Sequence, residues 1–142
     1  MYKTVEAVNC VRRSHWVGDV LVATAAGVFN PAAMREMRAY VTGILHERAA
    51  KAVVVDLTKT LQAITPDGWD RAVAEAAADS LGPPMALVVP EVNLTSVDDY
   101  CERLARLGVL RVAFADLSSG LAWAADRRGP SAAKQAVPRA GS

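Results

Sequence analysis

Apolar positions along this chain come in short blocks whose spacing switches between alternation and a 3.6-residue period, which predicts strands interleaved with helices. From Lys3 to Val11, the apolar Val5, Ala7 and Val11 alternate with polar residues, which predicts a first strand. A turn at Gly18-Asp19 leads into Val20-Leu21-Val22-Ala23-Thr24-Ala25, a second strand placed to form a hairpin with the first. Asn30-Pro31 then opens a helix to about Arg48, because the asparagine side chain caps free amides and a proline at the first helical position gives up an N–H that has no partner there. Met34, Met37, Val41, Ile44 and Leu45 follow the helical period and turn one stripe toward a sheet. The unbroken run Ala52-Val53-Val54-Val55-Asp56-Leu57 has the pattern of a strand covered on both faces and is the expected central strand.

Thr65-Pro66 repeats the cap-then-proline signal and starts a second helix, which Gly82-Pro83 ends. Trp69, Ala72, Val73, Ala76 and Ala77 lie on one side of it, and Asp70, Arg71, Glu75 and Asp79 on the other. Met85 to Val89 is a further buried strand, stopped by Pro90. Ser96 with Asp99 three residues on resembles a capping box for a third helix carrying Val97, Tyr100, Cys101, Leu104 and Leu107, closed by Gly108. Val112 to Ala115 is the last strand, and Ser118 or Ser119 caps a final helix through Leu121, Trp123, Ala124 and Ala125. The order β-β-α-β-α-β-α-β-α predicts an α/β domain: a mixed, mostly parallel sheet of about five strands with helices on its faces.

Composition agrees with one globular domain. A chain of 142 residues, 52% hydrophobic, is long enough for one core that buries roughly two-thirds of the unfolded surface. The apolar share rests on 27 alanines and 19 valines with few aromatics, so each tryptophan carries an outsized part of the buried area. No run approaches the ~18 apolar residues of a membrane span, and no signal-peptide pattern opens the chain, so the expectation is a cytoplasmic protein without a membrane span. Cys10 and Cys101 share no ligand spacing and are expected to be reduced core thiols. The net charge of +1 is uneven: Arg127, Arg128, Lys134 and Arg139 fall in the last sixteen positions, leaving 12 basic against 15 acidic groups in residues 1–126. A body of that sign lacks the basic stripe that a phosphate backbone requires, which disfavours nucleic acid as a partner. Residues 1–127 are the expected domain, and 128–142, rich in Pro, Gly, Ser and Ala, read as a flexible, weakly basic tail.

The element order, the strand Val53 to Leu57 with its following loop and helix, and the closing Phe114-Ala-Asp-Leu-Ser-Ser-Gly-Leu-Ala-Trp-Ala-Ala together resemble a STAS-like domain, the fold of sulfate-transporter tails and anti-sigma-factor antagonists. In particular the chain is similar to the stand-alone bacterial SpoIIAA-like branch, over about residues 5 to 127. The resemblance implies a regulatory or binding module, not an enzyme, that docks a protein partner or a small hydrophobic or anionic ligand. The docking place it implies is the loop and helix N-terminus after the central strand, with Asp56, Thr58, Thr65, Asp67, Gly68 and Trp69 as site residues. The phospho-regulated antagonists carry Asp-Leu-Ser, a spacer, then Asp-Ser-Ser-Gly, with a serine that accepts phosphate. Asp56-Leu57-Thr58 matches the first part, whereas Ile64-Thr65-Pro66-Asp67-Gly68 stands in place of the second. Anchored on Gly68, the two serine positions are Pro66 and Asp67; counted without a gap, they are Thr65 and Pro66. The expectation is a domain without the usual phosphoserine switch. The alternative is a carrier of a lipid-like or other small hydrophobic ligand, with an apolar pocket between a helix and the sheet.

Other chemistry finds little support. Asp56 ends a central strand where open α/β sheets bind ligands, but a receiver domain needs an acidic pair after its first strand and a lysine after its last, and neither is present. Asp56 is expected to accept hydrogen bonds from loop N–H groups. Asp67, in the first turn of its helix, stabilises the helix dipole by a few tenths to about 1 kcal/mol, or mimics a phosphorylated state. His15 and His46 are far apart, with His46 favourably near a helix end. No Gly-x-Ser-x-Gly elbow, phosphate-cradling glycine loop or metal-ligand spacing occurs, so no cofactor or metal is expected. Trp69 either fills core or forms the lip of a pocket between its helix and the sheet. Trp123, offset from the Leu121-Ala125 stripe, has room for a partner, and small domains of this kind commonly form two-fold dimers.

Overall fold

A computed structural model describes residues 10–78 and 82–127. Five strands form one sheet in the order β1 (Cys10–Val17), β2 (Val20–Phe29), β3 (Ala52–Gln62), β4 (Met85–Val88), β5 (Arg111–Phe114). The first pair is antiparallel and the rest are parallel. Between them run α1 (Pro31–Glu47), α2 (Pro66–Ala78), α3 (Leu94–Ala105) and α4 (Leu117–Ala125). β3 is third of five, as its valine run requires: a strand flanked on both edges and covered on both faces can afford no polar side at that end.

Alternation along the strands divides the core in two. Leu21, Ala23, Val53, Val55 and Leu87 point to the face that carries α1, α2 and α3. Val20, Val22, Val54, Ala86 and Val88 point to the opposite face, under Ala124 of α4. α1 begins as its sequence dictates: the Asn30 side chain accepts from Ala33 N–H at 2.9 Å and Pro31 takes the first helical position, an arrangement worth about 1 kcal/mol. Asn30 and Thr65 therefore act as expected, with Thr65 Oγ1 accepting from Gly68 N–H at 3.1 Å.

Several boundaries differ from expectation. The described part of β1, Cys10–Val17, runs through Arg12, Arg13 and His15 to the Gly18 turn and pairs with β2, so the hairpin is real and its first arm extends past the expected end at Val11; the earlier part of the expected strand lies outside the described residues. Residues 1–9 and the tail 128–142 lie outside the described residues. β1 is an outer strand with Val11 and Val17 exposed, and such a strand needs no apolar run to mark it. β3 continues five residues past Leu57, because Lys59 to Gln62 pair with Ala26 to Phe29 after a bulge; the stretch expected to be loop is strand. α3 starts at Leu94 on a 3-10 turn over Glu91–Asn93, so Ser96 lies inside the helix rather than at its cap. α4 is capped by neither serine: Asp116 Oδ1 accepts from Ser119 N–H at 2.8 Å, and Asp116 Oδ2 from the Ser119 hydroxyl at 3.0 Å. An aspartate one turn earlier outcompetes the hydroxyls because it can accept both donors at once.

Candidate functional site

The helices do not close over the three-helix face. α2 packs against α3 and α1 and shields the sheet only in part, leaving a cavity of about 330 Å3 along β3 and β4. Val55, Leu57 and Leu87 form its floor. Met37 and Val41 of α1 make one wall, and Val97 and Tyr100 of α3 the other. Ile64 and Trp69 stand at the carboxyl end of the strands, and Pro83, Pro84, Leu110 and Arg111 at the amino end. The volume lies at the lower end of the range small-molecule sites occupy, ~300–1,000 Å3. The wall is apolar except for a few side chains, among them Arg38, Tyr100 and Arg111.

Trp69 sits where the α2 stripe puts it, half-buried, with its ring 5.2 Å from that of Tyr100 at 48°. It packs against the core cluster and also lines the cavity, and its ring contact with Tyr100 joins α2 to α3. Gly68 brings the first turn of α2 against its neighbours: a Cβ there would meet Ile64 Cγ2 at 3.1 Å and Pro31 Cγ at 3.4 Å. Asp67 is exposed in that first turn.

Asp56 and Thr58 belong elsewhere. Asp56 follows the phase of Val54, on the α4 side of the sheet, and its Oδ1 accepts from Thr58 N–H at 3.1 Å and from the Thr58 hydroxyl at 2.7 Å. It binds backbone amide as expected, but at the bulge within β3. Six residue steps along the strand, about 20 Å of extended chain, separate it from Gln62. The structure therefore brings together Thr65, Asp67, Gly68 and Trp69 and leaves Asp56 and Thr58 apart from them.

Of the remaining tryptophans, Trp16 lies beneath the Arg48 guanidinium, 3.9 Å from its ring centroid, joining the hairpin to the end of α1. Trp123 packs on Phe114 in the α4 core, with the Arg127 guanidinium 4.5 Å from its ring centroid. Among the described residues no three His, Cys, Asp or Glu side chains converge, and no helix is long and apolar enough to cross a membrane.

Tyr100, Cys101 and Arg111 form a neighbourhood that the sequence did not single out as a site. Burial pushes the Tyr100 hydroxyl above its ordinary value, against the opposing pull of Arg111, so it is protonated at neutral pH. Burial, helped by Asp98, pushes the Cys101 thiol up to about 12. A thiol so held gives almost no thiolate. Native Cys101 is therefore expected to resist an aromatic disulfide reagent at pH 8 and to react once guanidinium unfolds the chain; rapid labelling of the native protein at Cys101 would contradict its burial. Because the folded value lies above the ordinary 9.0, this thiol leaves stability untouched below pH 9 and erodes it as pH rises from there toward 12. Arg111 carried a readable signal: a charge at an inward-phase position of a short strand.

The sheet order, the single antiparallel edge and the helices on both faces make this a STAS/SpoIIAA-like fold. The chain is similar to the crystal structure of an anti-sigma factor antagonist from Mycobacterium paratuberculosis, with a TM-score of 0.56 and 14% identity over 82% of this chain and 95% of that one. It is also similar to an uncharacterized protein with a SpoIIAA-like fold from Shewanella loihica, with a TM-score of 0.50 and 13% identity over 82% of this chain and 94% of that one. At these identities the likeness is one of fold. No protein-family model matches the sequence, and no curated protein matches it.

Proposed function

We propose that this domain is a non-enzymatic binding module whose ligand is a small, largely apolar molecule held in the cavity between α1, α3 and the sheet. The observation that carries this reading is the cavity itself: about 330 Å3 of space floored by Val55 and Leu87 in a domain whose core is otherwise filled by small side chains. An apolar recess of this size presents hydrocarbon surface that a ligand would remove from water.

Titration of the protein with 1-octanol, followed by two-dimensional amide NMR, tests it. Saturable shifts are expected at Val41, Val55 and Leu87. Absence of saturable shifts, or shifts confined to the Asp56 bulge, would overturn the reading.

A second reading is docking of a protein partner at the start of α2, without a phosphoserine switch. It is favoured by the exposure of Thr65, Pro66 and Asp67, and the anti-sigma factor antagonist of like fold makes a protein partner a natural class. Thr65 Oγ1 already accepts the Gly68 N–H, so its hydroxyl serves α2 as a cap. Incubation with a cognate kinase is expected to leave Thr65, Thr58 and Thr60 unmodified; phosphate on Thr65 would restore the switch.

A further inference from the structure

We propose that the ligand is an amphiphile with one anionic head group, a carboxylate on a short alkyl chain, and that Arg111 binds that head group. The inference rests on the reading of the cavity as a ligand site and adds the chemistry of what enters it.

Arg111 opens β5 on the same phase as Ala113, so its side chain leaves the strand on the three-helix face and joins the cavity wall. Its Nε is buried and has no hydrogen-bond partner. One terminal nitrogen meets only the Met85 sulfur, at 2.7 Å, and a thioether is a weak acceptor. No carboxylate among the described residues forms an ion pair with it. Arg38, which also lines the cavity, is instead held by Glu75 at 3.3 Å.

A guanidinium stays charged at every accessible pH and offers five donors in a fixed plane. With its buried Nε unmet at the wall of an apolar cavity, it carries a cost to the folded state that a carboxylate would answer with two parallel hydrogen bonds, from Nε and a terminal nitrogen. One such cation calls for one negative charge. The remaining wall, from Leu87 and Val55 to Trp69, calls for hydrocarbon. At ~30 Å3 per water-sized group, the cavity of about 330 Å3 has room for about eleven non-hydrogen atoms, the size of an eight-carbon carboxylate.

Calorimetric titration with octanoate, 1-octanol and octylamine at neutral pH tests the head group on the unmodified protein. Octanoate is expected to bind about ten- to a hundredfold more tightly than octanol, and octylamine not to bind, since a hydrogen-bonded charge is being added or opposed. In Arg111→Met the octanoate preference is expected to vanish while octanol affinity stays within about twofold, with Arg111→Lys between the two. Equal affinity of the unmodified protein for octanoate and octanol overturns the anionic head group and leaves the cavity reading standing. A preference that survives in a folded Arg111→Met overturns the role of Arg111. Binding of none of the three overturns the cavity reading and this inference together.

Discussion

Leu87→Trp is expected to lower affinity for 1-octanol by about a hundredfold or more while leaving the melting temperature unchanged or raised. Leu87 rises from the middle of the cavity floor, paired in register with Val55 on one side and Ala113 on the other. An indole at that position occupies the space a ligand would take, and it packs apolar area against the side chains that line the same space. A cavity filled by its own side chain gains contacts, whereas a core already full pays ~1–3 kcal/mol for the intrusion. The two measurements thus separate the cases. Lost binding with an intact melting transition supports the ligand site; retained binding excludes it; and a lower melting temperature shared by the smaller Leu87→Phe variant means that the space is not there to fill.

Gly120→Val is expected to destabilise the protein by about 3 kcal/mol, the upper end of the overpacking range, and to lower its melting temperature by roughly 10 °C. α4 crosses the sheet so closely that a Cβ at Gly120 would lie 2.7 Å from Val88 Cγ2, and Val88 is fully buried with nowhere to retreat. Gly120→Ala is expected to cost less, because alanine recovers about 1 kcal/mol of helix propensity over glycine. Val88→Ala should relieve the clash, so the double variant is expected to be more stable than the sum of its single changes predicts. Thermal melts of the four proteins read this directly, and additivity would mean that the two residues do not meet.

Much of this architecture was legible because local chemistry and tertiary need agree. The valine run at Ala52 to Leu57 announces a doubly covered strand, and Asn30-Pro31 and Thr65-Pro66 announce helix starts, since caps act within three residues of themselves. The extension of β1 past Val11 was not legible because an outer strand with one solvated face tolerates Arg12, Arg13 and His15, and so carries no apolar signature there. The two serine caps failed for a related reason: several side chains near α3 and α4 could cap, and the packing of each helix selects among them.

The candidate site was harder to read. Trp69 could be placed on an inward stripe, yet whether that stripe meets side chains or space depends on how far α1 and α3 stand apart. Asp56 and Thr65 looked like neighbours only while residues 58–62 were taken for loop; pairing with β2 extends them as strand and carries the two apart. The Leu57 to Gln62 stretch has exposed polar positions and no buried apolar run after Leu57, so its pairing with β2 is what marks it as β.

The sequence by itself determined the order of elements, the central place of β3 and the starts of α1 and α2, all of which follow from periodicity and short-range hydrogen bonding. The tertiary structure alone decided the cavity, the unmet Nε of Arg111 beside it and the close seat of α4 on Val88. Periodicity says which way a side chain faces, but a void or an unmet donor is a relation among residues far apart in the chain, and it exists only once the helices have been set at their distances from the sheet.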